Sequence, residues 1–263
     1  MMCSKHKTAA APFAALLLAV LMLVPAAPAQ GKRPHKRPPV PVRGKRPRRK
    51  PPARRVKPRG PVAKHLVPLK LKLPKPAFKG TPTHVPPGTN LEKPRKGPRP
   101  PLLVPTGVTN VARGKKVTSS DSEPIIGELA LVTDGDKSAD EGSYVELGPG
   151  RQWVQVDLKR KYHIYAVVVW HTHAHAQVYH DVVVQVSDDP DFIKGVHTLF
   201  NNDHDNSSGL GLGHDKEYWE TYEGKLIDAK GVAGRYVRLY SNGSTADEQN
   251  RYTEVEVYGL PAK

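Results

Sequence analysis

Four histidines crowd the run His171-Thr-His-Ala-His-Ala-Gln-Val-Tyr-His180. If the preceding strand continues through them, His171, His173 and His175 share one face. Imidazoles so placed can hydrogen-bond hydroxyls, chelate a transition metal through the i, i+2 spacing, or simply close a strand with polar residues. All three readings stand, and any binding through them would be pH-sensitive near 6.5. A second cluster is the turn Asp134-Gly-Asp-Lys-Ser138, where oxygen-bearing side chains alternate around a glycine. That pattern suits a hard cation, or an ordinary Asx turn, and without a helix-flanked twelve-residue loop it is no EF-hand. A third is Asn201-Asn-Asp-His-Asp-Asn206, with Asp188, Asp189, Asp191, His214 and Asp215 further along the chain. Its amides and carboxylates, Asn202, Asp203 and Asp205 among them, fit sugar hydroxyls, a second cation, or nothing beyond a polar loop. Tyr218, Trp219 and Tyr222 could stack on a pyranose face or belong to the core.

Enzyme signatures are missing from the sequence. There is no Gly-x-Ser-x-Gly elbow, no His-Glu-x-x-His and no phosphate loop. The run Gly209-Leu-Gly-Leu-Gly213 lacks the strand before it and the helix after it that a dinucleotide site needs. Asn206-Ser-Ser and Asn242-Gly-Ser match glycosylation sequons. A single cysteine, Cys3, excludes a disulfide scaffold and a Cys-ligated zinc site. An enzyme using the His and Asp loops with a metal is the least favoured function class.

These residues need a scaffold, and the pattern around them has period 2. Trp153–Leu158, Arg235–Tyr240 and Thr253–Tyr258 alternate, while Ile164–Trp170 and Val182–Val186 are β-branched runs buried on both sides. Turn signals at Asp134-Gly135, Gly148-Pro-Gly150, Asp189-Pro190 and Ser241-Asn-Gly243 separate them. The expectation is an all-β fold, an antiparallel jelly-roll β-sandwich.

Charge sets the rest of the chain apart. Residues 31–105 hold 23 basic residues, one acid (Glu92) and 20 of the 27 prolines, whereas 106–263 hold 16 basic and 24 acidic residues. So Pro-rich and basic a segment cannot bury enough apolar surface to fold alone, so 30–105 reads as a disordered, extended tether. It is a spacer or a ligand for anionic polymers through counterion release. Nothing in it specifies nucleic acid, and it could also rest on the acidic domain of its own chain. His65–Pro74, alternating Leu and Lys, could form a short strand or an interfacial foot. Residues 1–29, with Lys5 and Lys7, an apolar run and Ala27-x-Ala29, read as a cleaved secretory signal. The product would be secreted, periplasmic or at the cell surface, with no transmembrane span after cleavage.

Six strings then fall in order: Asn110–Ser120, Val132-Thr-Asp-Gly-Asp136, Trp153-Val-Gln-Val-Asp-Leu158, Val182–Asp189, Arg235-Tyr-Val-Arg-Leu-Tyr240 and Glu254-Val-Glu-Val-Tyr-Gly259. Together they resemble the discoidin, or coagulation factor V/VIII type C, domain of the galactose-binding-like superfamily, over residues 106–263. The resemblance implies an eight-stranded jelly roll with adjacent termini and a non-catalytic binding role. The implied partner is a glycan or cell-envelope polysaccharide. A structural Ca2+ is implied under the acidic turn, held by Asp134, Asp136, Glu254 and Ser138 or Ser143, with the carbonyls of Leu131 and Thr253. Glycan contacts are implied at His171, His173, His175 and His180, with Tyr179, Asn202, Asp203 and Asp205 beside them. The competing function is a polyanion-anchored adhesion protein in which the basic segment binds and the sandwich makes protein contacts.

Overall fold

The alternation through Trp153–Leu158 and the valine run after Ile164 belong to one strand, not two. In a computed structural model describing residues 65–80, 82 and 85–262, β6 runs Gln152–His171 without a turn. The other elements in chain order are β1 (Leu66–Pro68), β2 (Leu103–Pro105), β3 (Thr109–Asn110), β4 (Val117–Ser119), a 3-10 turn (Leu129–Thr133) and β5 (Val145–Leu147). After β6 come β7 (Val183–Ser187), β8 (His197–Asn201), β9 (Lys225–Ser241) and β10 (Asn250–Pro261). The secretory signal read in 1–29 and the tether up to residue 64 lie outside the described residues.

β6 stays one strand because it bends. Lys159 takes a φ of 71°, and the pairing with β9 shifts register between Asp157 and Tyr162. Such irregularities turn a ladder without ending it. The first half of β6 pairs with β4 and with the end of β9, which continues to β7 and β8. The second half pairs with the start of β9 and with β10, which also carries β3 and β5. All these ladders are antiparallel, and the eight strands β3 to β10 make up the expected all-β sandwich.

Side-chain alternation along the bent strand sorts its residues into two cores. Val154, Val156, Leu158, Ile164, Val167 and Val169 join Val184, Val186, Leu239, Val255 and Val257 in the main core. Ala166, Val168 and Trp170 face the other way, where Leu69, Leu71, Leu102 and Val108 cover them. The second face explains why the valine run has no polar side.

That cover corrects the boundary expected at residue 106. β1 pairs with β2 antiparallel, and the Leu69 N–H donates to the Leu102 carbonyl at 2.8 Å. Lys225 holds Glu92 at 2.7 Å, and the Glu92 N–H donates to the Glu217 carbonyl at 2.8 Å. Residues 65–80 and 85–105 therefore act as a strap on the folded body. Alternation puts the leucines against the sheet while Lys70 and Lys72 point to solvent. A chain starting at 106 should melt about 5–10 °C below one starting at 65, because losing the three leucines bares the apolar face of Ala166, Val168 and Trp170. Equal melting temperatures by differential scanning calorimetry would show that the strap adds no stability.

Candidate functional site

The expected histidine face divides where the chain leaves β6. His171 is wholly buried, its ring stacked on Tyr179 at 4.2 Å between centroids and 4.7 Å from Tyr252. Its Nδ1 lies 2.6 Å from Oε1 of the buried Glu220. His173 is buried as well, its Nε2 3.0 Å from the Lys137 carbonyl. Only His175 and His180 reach solvent. The sandwich end closes over the first two rings, so His171, His173 and Tyr179 build the interior and present no face to a ligand. Among the described residues the histidines join no group of three metal-ligating side chains.

His180 opens a polar patch at this end of the sandwich. Backbone hydrogen bonds lock it to the loop after β9: the His180 N–H donates to the Gly243 carbonyl, and the Asn242 N–H to the His180 carbonyl. Its Nδ1 is 3.0 Å from Glu217 Oε1. That hydrogen bond raises the imidazole's pKa, outweighing burial. Glu217 is buried at a cost, yet the hydrogen bonds from His180 and the Asn90 N–H hold its carboxyl below the ordinary value. Asp181, with a φ of 51°, accepts from Ser207 Oγ and Asn242 Nδ2, both at 2.8 Å. Residues 242–248 with His180 and Gly150 line a shallow cavity of about 530 Å3.

The Asn/Asp loop is mostly self-supporting. Asn202 is buried and accepts from the Val182 N–H at 2.7 Å. Asp203, also buried, accepts the N–H groups of Ser207 and Ser208 at 3.1 and 3.0 Å. These two expected ligand contacts are therefore loop braces. Asp205 is exposed, and Asp181, Asp203 and Asp205 each bring a carboxylate oxygen within 4.8 Å of the others. Of the expected ligand residues, His180 and Asp205 reach this patch's surface. Asp181, Ser207, Asn242 and Glu217 belong there too, and of these the sequence marks only Ser207, within a sequon, and Asn242, within a sequon and a turn.

The acidic turn lies outside this patch and is braced by its own side chains. Asp134 Oδ1 accepts the Asp136 N–H at 2.7 Å, and Asp136 accepts the Ser138 N–H at 2.9 Å. Ser138 Oγ and Ser143 Oγ approach Asp136 Oδ2 at 3.2 and 3.1 Å. From β10, Glu254 reaches the turn and accepts the Gly135 N–H at 3.0 Å. It is wholly buried, and among the described residues its Oε1 has no partner. Burial foremost, with Glu256 and Asp134 adding, pushes its carboxyl up to about 8. The nearby Lys137 is engaged by Glu256 at 2.8 Å. A desolvated carboxylate with an orphaned oxygen among hard oxygen donors fits a divalent cation.

Residues 131–239 match the family model described as an F5/F8 type C, NedA-like, galactose-binding domain. No curated protein matches the sequence. Among solved structures, a family 89 glycoside hydrolase from Clostridium perfringens is similar at 17% identity and a TM-score of 0.44, over 58% of this chain and 15% of that one. A fucose-binding module from Streptococcus pneumoniae aligns at 18% identity and 0.41, over 58% and 98%. A fucolectin from striped bass serum aligns at 19% and 0.41, over 59% and 50%. The chain thus spans a small fraction of the first of these proteins.

The His180–Glu217 pair gives a pH signature. A raised imidazole pKa means its stabilisation is present below about 6.5 and is lost as pH rises through the folded value. In Glu217→Gln the His180 ring should titrate lower by NMR. The melting-temperature gap to the unaltered protein should be wider at pH 6 than at pH 9. An unchanged titration would show that the pair does not hold the proton.

Proposed function

We propose that this F5/F8 type C domain is a non-catalytic, exported carbohydrate-binding module that grips a neutral glycan at the His180 end of the sandwich. The match of residues 131–239 to a galactose-binding family carries the reading. The patch supports it chemically: a half-exposed imidazole, an amide and carboxylates stand on loops braced from below, as hydroxyl recognition requires. His180 donates or accepts at its free Nε2 while Glu217 fixes the ring through Nδ1. Asn242 and Asp181, already hydrogen-bonded to each other, hold the loop edges in place.

Calcium belongs to this proposal as a structural ion. Asp134, Asp136, Ser138 and Glu254 would hold it, and its charge would neutralise the buried Glu254 and fix the turn to β10. Secretion follows from the signal read in residues 1–29. The basic segment supports a second reading, adhesion to an anionic surface, on the 23 basic residues against one acid in 31–105. Salt separates the two, since counterion release weakens steeply between about 50 and 200 mM while hydroxyl recognition barely changes.

Galactose-terminated oligosaccharides should bind saturably by calorimetry in moderate salt, and His180→Ala and Asn242→Ala should each weaken binding about tenfold or more. Binding that survives both substitutions would move the site away from this patch. Calcium should raise the melting temperature of the unaltered protein, by about 2.7 kcal/mol of stabilisation at a hundredfold excess over Kd, and leave Glu254→Gln unmoved. A calcium shift that persists in Glu254→Gln would exclude this turn as the site.

A further inference from the structure

The strap encloses space as well as covering apolar residues. Between strap residues 92–102 and body residues 218–228 lies a cavity of about 510 Å3, the size range of small-ligand sites. It is separate from the His180 patch, whose lining shares none of these residues.

The charges in its wall are unevenly matched. Arg95 and Arg99 both direct an Nη2 at one carboxylate oxygen, Glu223 Oε2. Arg99 is further pinned by the carbonyls of Glu223 at 2.8 Å and Gly224 at 2.5 Å. Among the described residues its buried Nη1 has no partner. Burial, and then the neighbouring charge of Arg95 against the pull of Glu223, leaves the guanidinium pKa lowered. Lys225 is held by Glu92 at 2.7 Å and lies 4.5 Å over the Tyr218 ring. Lys93, also in the wall, forms no ion pair among the described residues. Asp228 also lines the wall, so Lys93, Arg95, Arg99 and Lys225 face Glu92, Asp228 and the paired Glu223, and the surplus of one positive charge lies on the strap side, where two guanidiniums share one carboxylate. Arg95 remains 43% exposed at its side chain and so can turn its second nitrogen to a ligand.

Beside this field Trp219, half-buried, lines the same cavity and offers a flat apolar face. An aromatic face suits the C–H side of a sugar ring, and a guanidinium suits a planar carboxylate, which it can meet with two parallel hydrogen bonds. We infer that this cavity binds a hexuronate unit of an acidic polysaccharide, its ring against Trp219 and its carboxylate on Arg95. A folded protein or a nucleic-acid duplex is too large for the space. The site exists only because the strap is docked, so binding and strap docking stabilise each other.

The test uses the full chain and a monosaccharide probe too small to engage the basic segment as a polymer. The methyl glycoside of galacturonic acid, its carboxylate free, should bind saturably in about 150 mM salt and change Trp fluorescence, with methyl galactoside at least about tenfold weaker. Arg95→Gln and Trp219→Leu should each weaken uronate binding about tenfold, with melting curves showing that both variants fold. His180→Ala should leave uronate binding unchanged, which separates this site from the neutral-glycan patch. Equal binding of the uncharged galactoside would overturn the inference, as would uronate binding indifferent to Arg95→Gln. Inorganic sulfate displacing the uronate while Trp219→Leu has no effect would reduce the site to a simple anion hole and equally sink it.

Discussion

Two long strands that must each serve both layers of a sandwich set the terms for everything else here. β6 and β9 pair along nearly their whole length, so where one bends the other bends with it. The bend is held by Asp157, which accepts from Arg235 Nε and Nη2 at 2.8 and 2.9 Å, and this hydrogen bonding takes its carboxyl down to about 2 despite partial burial. Next to it, Gly234 lets β9 pass under β7: a Cβ there would sit 2.2 Å from Val186 Cγ1. Because the bend is shared, the far ends of β6 and β9 arrive together. The loops after His171 and Ser241 then meet to form the polar patch.

Polar groups are concentrated in the interior at the places where those strands end. Along β10, Glu254 and Glu256 are both buried though their neighbours alternate with them. Glu256 takes Lys137 and the Tyr258 hydroxyl at 2.8 Å each, so its charge is compensated within the fold. Glu254 has only one N–H. Placed two residues apart on one strand, the two carboxyls show the difference between a compensated buried charge and one left with a single N–H donor. Close by, where Tyr252 pairs with His171, Glu220 beside His171 and Tyr179 makes a comparable buried polar knot under the patch.

The fold was legible because strand periodicity is local. Trp153–Leu158, Val183–Val186, Arg235–Tyr240 and Thr253–Tyr258 all appear as strand, and Asp134–Ser138 forms an Asx-type turn. The family resemblance named from those strings agrees with the match at 131–239. What sequence could not supply was the side of the sheet that each polar residue would face. His171 and His175 are four residues apart, yet one is sealed in the core and the other is exposed. Strand alternation stops meaning anything once the chain folds over a sandwich end. Composition likewise hid the strap, since a few leucines among many lysines and prolines dock only when Trp170 and Val168 await them across a long stretch of chain.

The strap also decides how the molecule would carry a load. Its first residues are fastened by the three pairs of β1 with β2, whereas the sandwich behind them is closed by long, many-paired ladders. Tension arriving from the amino-terminal side meets the short ladder first and peels it, one pair at a time. The chain released from 65 to 105 would lengthen the molecule by about 130 Å before the sandwich felt the pull. A domain fastened in this way behaves as a latch in series with a rigid body, giving slack under strain while the long ladders stay shut.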